Sequence, residues 1–228
     1  MTCARVVVVT ASTYGTDNRA TFDAVAALGE SARGVSVVDA EVPDAELERM
    51  HAVGVRGIRF NLAHGGASAH GMERLCERVA PFGWHLQLFG HAELWPALLP
   101  RLERLPVQVV FDHFGNVAGD PGVNHPAFAT ITRLMKQGKG WVKLSGGVNI
   151  SKSAAPGVPD VLPLASGYLA AEPLRVVWGT EWPHPAMQEK PDDEAPMRQL
   201  PEWCDHDPAL LQKVLVGNPE LLYGFRPG

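Results

Sequence analysis

Residues 107–113 read Val-Gln-Val-Val-Phe-Asp-His, a run of β-branched and aromatic residues that ends in two ionisable side chains. Such a run is typical of a parallel strand covered by helices on both faces. Similar runs recur along the chain, each followed by a segment with helical spacing, and this alternation predicts βα repetition. Seven strands are predicted, at Arg5–Val9, Val35–Asp39, Gly57–Asn61, His85–Phe89, Val107–Phe111, Trp141–Leu144 and Arg175–Trp178.

The helical segments lie between these strands and after the last one. They are Asn18–Leu28, Ala45–Ala52, Ala69–Ala80, Ala92–Arg104, Ala127–Gln137, Val161–Ala171 and Pro208–Leu215. The common closed form of this repeat has eight strands. The sequence therefore predicts a (β/α)8 TIM-barrel that apparently lacks its first strand, with seven βα units visible in one domain over residues 1–228. An open doubly wound sheet is the alternative, but no glycine-rich phosphate motif follows any strand.

Composition excludes several classes of function. The chain has 228 residues, 46% of them hydrophobic, and a net charge of −5 without a run of Lys or Arg, which argues against nucleic acid as a partner. No segment approaches the roughly 18 apolar residues of a membrane span. Three separated cysteines form neither a disulfide framework nor a C-x-x-C motif, and this predicts a reduced, cytoplasmic setting.

The segments after the last three strands are long and rich in Gly and Pro, which predicts a functional face at the carboxyl ends of the strands. Asp112 and His113 end one strand there, and Glu181 follows another. A carboxylate and an imidazole in one mouth could take a proton from water while polarising a carbonyl. The alternatives are a structural, hydrogen-bonded His113 and an ion pair of Glu181 with Arg59 or Arg175.

Four further polar residues are predicted at the same face. Arg59 and Asn61 alternate along one strand, so both side chains point the same way, and the guanidinium could clamp a substrate carboxylate. A salt bridge from Arg59 to Asp39 is the alternative. Ser12 and Tyr14 offer hydroxyls, or cap a turn. Six other histidines, predicted as surface or loop residues, lack the spacing of metal ligands: His64, His70, His91, His125, His184 and His206.

Five segments together resemble the amidohydrolase superfamily, and within it the 2-pyrone-4,6-dicarboxylate lactonase group. They are residues 6–18 (Val-Val-Val-Val-Thr-Ala-Ser-Thr-Tyr-Gly-Thr-Asp-Asn), 56–61 (Arg-Gly-Ile-Arg-Phe-Asn), 111–115 (Phe-Asp-His-Phe-Gly), 142–146 (Val-Lys-Leu-Ser-Gly) and 178–185 (Trp-Gly-Thr-Glu-Trp-Pro-His-Pro). The resemblance implies a distorted barrel that hydrolyses a cyclic ester, usually without a divalent metal. It places Glu181 as the general base on water and His113 against the substrate, with Ser12 and Arg59 on the substrate's oxygens.

The chain departs from the group's pattern at several positions. A first strand carrying His-x-His is absent, and Glu181 replaces an aspartate, which moves the carboxylate by on the order of 1 Å. Phe89, a candidate wall of the substrate site, replaces a tyrosine, and Gly65 and Asn149 replace arginines. The resemblance thus implies a lactone less anionic than the pyrone dicarboxylate.

Three hypotheses follow. The first is a lactone hydrolase with catalytic Glu181 and His113, no cofactor and a small-molecule lactone or cyclic carboxylate as its partner. The second, motivated by the absent strand, is a catalytically impaired, truncated remnant that at most binds a ligand. The third is a metal-dependent decarboxylase of the same superfamily. The sequence leaves the oligomeric state open.

Overall fold

The structure, a computed structural model, describes residues 3–63, 71–153, 159–184, 192 and 194–226. It divides into two compact units. Unit 1 comprises residues 1–90, 100–110 and 220–228, and unit 2 comprises residues 91–99 and 111–219. The single domain expected from the sequence stays a prediction.

The described residues contain seven strands, the number that the sequence predicts, and six of them lie where predicted. The seven strands are β1 (Val6–Val9), β2 (Ala32–Ser36), β3 (Val55–Asn61), β4 (His85–Phe89), β5 (Val109–Phe111), β6 (Gly140–Leu144) and β7 (Val176–Trp178). Their order in the sheet is their order in the chain. Within unit 1, β1, β2, β3 and β4 pair in parallel, and within unit 2, β6 pairs in parallel with β7. This is the α/β class that the sequence predicts.

One strand is displaced from its predicted position. The apolar run suggested Val35–Asp39, but β2 covers Ala32–Ser36. The reason is Asn18, whose side chain accepts a hydrogen bond from the Val37 amide at 3.0 Å and donates one to the Val37 carbonyl at 2.8 Å. The backbone of Val37 is therefore held by a side chain, and the chain leaves the strand ladder at this point.

The described residues include ten α-helices. They are α1 (Arg19–Leu28), α2 (Asp44–Val53), α3 (Met72–Val79), α4 (Leu94–Arg104), α5 (Pro126–Lys136), α6 (Gly147–Ile150), α7 (Leu162–Ala171), α8 (Ala195–Trp203), α9 (Pro208–Gln212) and α10 (Asn218–Tyr223). A π-helical turn, Lys213–Gly217, connects the last two. No described helix has the length and apolar character that a membrane crossing requires.

Helices α6 and α8 are among those that the sequence does not predict. Helix α8 contains Pro196 and Pro201, which read as helix breakers, yet Pro196 lies in the first turn, where its missing N–H costs nothing. Helix α6 is a single turn that begins after Gly146, whose φ of 61° lies in the left-handed region. Both segments are short or proline-rich, so periodicity does not identify them.

Buried aromatic residues of unit 2 hold the backbone after β5. The Trp95 indole donates to the Gly115 carbonyl at 2.6 Å, and the Tyr168 hydroxyl donates to the Phe114 carbonyl at 3.0 Å. Burial raises the pKa of Tyr168, so this hydroxyl keeps its proton and remains a donor. These bonds fix the turn that presents His113.

Candidate active site

The candidate catalytic residues of unit 2 lie directly after its strands. Asp112 and His113 follow β5, Ser145 follows β6, and Glu181 comes shortly after β7. Because the carboxyl ends of parallel strands share one edge of a sheet, residues far apart in the chain meet there. The structure brings His113 and Glu181 together, with His113 Nε2 3.7 Å from Glu181 Oε1.

His113 is fixed from its other side. Its Nδ1 lies 2.8 Å from the Ser145 hydroxyl in a buried hydrogen bond, and the residue is 7% exposed. When the Ser145 hydroxyl donates to Nδ1, the proton of the neutral imidazole is on Nε2 and points toward the Glu181 carboxylate. A structural, hydrogen-bonded role for His113 thus accounts for Nδ1 only, because Nε2 faces the Glu181 carboxylate.

Glu181 is held through its second carboxylate oxygen. Asn149 Nδ2 donates to Glu181 Oε2 at 2.6 Å, and 13% of the Glu181 side chain is exposed. Arg175, one of the two predicted ion-pair partners of Glu181, has its guanidinium 4.8 Å over the Trp141 ring. Glu181 is therefore positioned by a neutral amide and faces an imidazole.

The backbone at both residues is strained. His113 has a φ of 47° and Glu181 a φ of 62°, values that are uncommon for residues with side chains. The amide of His184 donates to the Glu181 carbonyl at 2.9 Å and closes the turn. Strained residues cluster at functional sites because the surrounding fold must hold them there, and two such residues side by side support a catalytic site.

Asp112 does not share the role of Glu181. Its Oδ1 lies 2.9 Å from Lys143 Nζ, and only 1% of the Asp112 side chain is exposed. The Lys143 ammonium group therefore engages this carboxylate. The pair distinguishes Asp112 from Glu181, the two acids that the sequence grouped together.

Sequence reasoning gave no role to Lys143, Ser145 or the Asn149 amide. A lysine within the apolar run of β6 is itself a signal, since buried lysines are almost always paired. Ser145 ends β6, where the strand-end rule that identifies His113 and Glu181 also applies. His184, predicted as a surface or loop residue, is 2% exposed and thus a buried loop residue.

A small cavity lies beside this group. Ser145, Gly146, Thr180, His184 and Gln199 contribute to its lining, and its volume is about 20 Å³. That volume holds roughly one water molecule. Polar side chains on its wall could bind such a water.

Unit 1 contains a second group of predicted site residues. Ser12 Oγ accepts hydrogen bonds from Arg59 Nη1 at 2.8 Å and from Asn61 Nδ2 at 2.9 Å. The Arg59 guanidinium lies 5.6 Å over the Phe89 ring, and Arg59 is 8% exposed. The predicted alternation of Arg59 and Asn61 is confirmed, since both reach the same hydroxyl.

The alternative role predicted for Ser12 and Tyr14 is that they cap a turn. The Ser12 side chain binds Arg59 and Asn61, while the turn around Ser12 is closed by the backbone bond from Gly15 N to Ser12 O. Tyr14 is 57% exposed, and no described contact joins its hydroxyl to Ser12, Arg59 or Asn61. Gly65 lies outside the described residues.

Among the residues that the structure describes, no group of three or more His, Cys, Asp or Glu side chains could hold a metal ion. His64 and His70 lie outside that part of the chain. Independence from metal stays a prediction.

Comparison with known proteins identifies the family. A model of the amidohydrolase family matches residues 2–225, and the chain belongs to this family. A 2-pyrone-4,6-dicarboxylate hydrolase of Comamonas testosteroni is 36% identical over 96% of the chain and 76% of the relative. A D-galactarolactone isomerase of Agrobacterium fabrum is 31% identical over 98% of the chain and 77% of the relative.

A solved structure from Pseudomonas putida confirms the fold. That protein, described as a candidate 2-pyrone-4,6-dicarboxylic acid hydrolase, has a TM-score of 0.88 and 29% identity to the chain. The match covers 99% of the chain and 84% of the Pseudomonas protein. The resemblance read from the five sequence segments is therefore confirmed.

Proposed function

We propose that the protein hydrolyses a lactone, with Glu181 as the general base that activates water. The observation that carries this proposal is the pairing of Glu181 Oε1 with His113 Nε2 at 3.7 Å, with each side chain fixed from behind. The 2-pyrone-4,6-dicarboxylate hydrolase supports it as a relative that acts on a lactone.

The reaction uses the two side chains in sequence. Glu181 takes a proton from water, and the hydroxide oxygen bonds to the lactone carbonyl carbon. His113 Nε2–H donates a hydrogen bond to the oxyanion that forms. When this intermediate collapses, the bond between the carbonyl carbon and the ring oxygen breaks, and the ring oxygen leaves with the proton held by Glu181.

The finer parts of the proposal concern the substrate and the cellular compartment. Gly65 and Asn149 stand where the lactonase group has arginines, and the loss of these cations favours a lactone with fewer negative charges than a pyrone dicarboxylate. Contacts of Ser12 and Arg59 with substrate oxygens remain predictions from the resemblance, and Tyr14, Asn61 and Phe89 remain predicted residues of the substrate site. The odd number of cysteines motivates a cytoplasmic setting.

The test is hydrolysis of a panel of monocyclic lactones at neutral pH by the wild-type chain, Glu181→Asp and Glu181→Gln, with and without a chelator. Glu202→Gln is the matched control, because Glu202 is an exposed glutamate of α8. We expect turnover that ignores the chelator and is lost only in Glu181→Gln. Full activity of Glu181→Gln would refute the assignment of the base.

Other outcomes favour the competing hypotheses. Stoichiometric zinc or manganese by elemental analysis, with activity lost to the chelator, would support the metal-dependent decarboxylase. Conversion of a lactone without hydrolysis would support an isomerase, the activity named for the Agrobacterium fabrum relative. Absence of turnover together with aggregation and a non-cooperative thermal transition would support the impaired remnant.

A further inference from the structure

The two carboxylate oxygens of Glu181 have different surroundings. Oε2 accepts a hydrogen bond of 2.6 Å from Asn149 Nδ2, whereas Oε1 lies 3.7 Å from His113 Nε2. The first distance is that of a strong, charge-assisted bond and the second exceeds hydrogen-bond range. Oε2 is therefore held in place, whereas Oε1 can take a proton from water.

A glutamate needs such an anchor because its side chain is long. A glutamate side chain that nothing holds rotates about several bonds and populates many rotamers. Without a fixed partner the carboxylate would sample positions that do not face His113. A displacement of about 1 Å from the productive position can cost on the order of 100-fold in rate.

The anchor is itself fixed by local backbone geometry. Asn149 lies on α6, and its amide N–H donates to the Gly146 carbonyl at 2.9 Å. Gly146 adopts a φ of 61°, which favours glycine, and so directs the single turn of α6 toward the site. The position of the Asn149 side chain therefore follows from the fold.

Gly146 also provides the space in which these side chains meet. A Cβ atom at this position would lie 2.5 Å from Glu181 Oε2, 2.9 Å from Asn149 Nδ2 and 2.9 Å from His113 Nδ1. A Cβ atom here would therefore force these side-chain atoms to move. The three polar groups thus converge on one point that the glycine leaves open.

We infer that Asn149 is a positioning residue for the general base: its amide holds Glu181 Oε2 so that Oε1 faces His113, and Gly146 permits this arrangement. The inference rests on the proposed function, since Glu181 must be the base for Asn149 to matter in turnover. The contact itself can be tested without turnover. Asn149 then sets the direction in which the Glu181 carboxylate points.

The first test measures the contact directly. The carboxyl carbon of Glu181 is followed by NMR in wild type, Asn149→Ala and Asn149→Asp, with assignment from Glu181→Gln. Loss of the hydrogen bond to Oε2 changes the surroundings of this carbon, so we expect its resonance to move in both Asn149 variants and to stay in place in Asn124→Ala, at an exposed asparagine of unit 2.

The second test measures turnover on the best lactone of the panel. Asn149→Ala should lower kcat by about 10- to 100-fold with little change in KM, because the carboxylate is no longer held in its productive position. Asn149→Gln, which keeps the amide, should recover part of the rate. Asn124→Ala, at an exposed asparagine of unit 2, is the matched control and should behave as wild type.

The outcomes separate the inference from the proposed function. An unchanged Glu181 carboxyl resonance in both Asn149 variants, with cooperative unfolding retained, would overturn the inference. A rise in KM with constant kcat would also overturn it, because Asn149 would then contact the substrate. A shifted resonance without any lactone turnover in wild type would leave the contact established and refute the proposed function.

Discussion

The polar groups of the two units differ in backbone and in chemistry. In unit 2, His113 and Glu181 have positive φ values, and an acid faces an imidazole. In unit 1, Arg59 and Asn61 lie on the regular strand β3 and donate to Ser12. The side chains that can transfer protons, His113 and Glu181, thus lie on strained backbone. The side chains that can only donate hydrogen bonds lie on a regular strand. The difference supports the proposal that unit 2 carries the chemistry, while substrate recognition by Arg59 and Asn61 of unit 1 stays a prediction.

The largest expected effect comes from Glu181. Replacing it with glutamine keeps the shape and the Asn149 contact but removes the base, so kcat should fall by roughly 100- to 10,000-fold. Steady-state kinetics on the best lactone measure this loss. A fall in kcat of less than tenfold would contradict the proposal that unit 2, rather than unit 1, carries the chemistry.

The second effect concerns the stability of unit 2. Lys143→Met leaves Asp112 buried without its cation, and breaking such a pair costs about 3–5 kcal/mol of unfolding free energy. Urea denaturation measures it. Arg74→Met, which breaks the exposed Arg74–Glu41 pair of unit 1, is the control and should cost under about 1 kcal/mol. Equal losses in the two variants would contradict this account of the buried pair.

The third effect tests unit 1. Arg59→Lys keeps the charge but loses the planar fork that reaches Ser12, and we expect KM to rise by about tenfold at nearly constant kcat. Separate determination of kcat and KM provides the readout. A drop in kcat alone would give unit 1 a part in the chemistry and would break the comparison.

The smallest expected effect concerns His51, a structural histidine, in contrast to the catalytic candidate His113. Burial, with a further contribution from Arg56, lowers the pKa of His51, and His51 Nδ1 accepts a hydrogen bond from Trp84 at 3.0 Å. Its stabilising contribution is therefore complete above the ordinary histidine pKa of about 6.5 and is lost as pH falls from there through the lowered value. Urea denaturation at several pH values should show this dependence, and His51→Gln should lack it with unchanged turnover. The same pH slope in His51→Gln would refute the assignment.

The sequence predicts the strands well because each is an apolar run bounded by turn residues. It misplaces β2 because the Asn18 side chain, rather than a neighbouring strand, binds Val37. It misses α8 because Pro196 and Pro201 read as breakers, although the first occupies a tolerated position. Only tertiary context decides these cases.

The candidate site likewise contains residues that the sequence predicts and contacts that it does not. His113 and Glu181 are predictable because the ends of parallel strands converge. Their supports are not, since the Asn149–Glu181 and Lys143–Asp112 contacts depend on loop geometry and side-chain direction. Neither contact follows any spacing along the chain.

The central claim is that Glu181 activates water to open a lactone. Its most direct test is turnover of the best lactone in water enriched in heavy oxygen, followed by mass spectrometry of the product for wild type and Glu181→Gln. We expect one heavy oxygen in the product carboxylate for wild type and negligible labelled product for Glu181→Gln in the same time. Product without label, or equal labelling by both proteins, would contradict the claim.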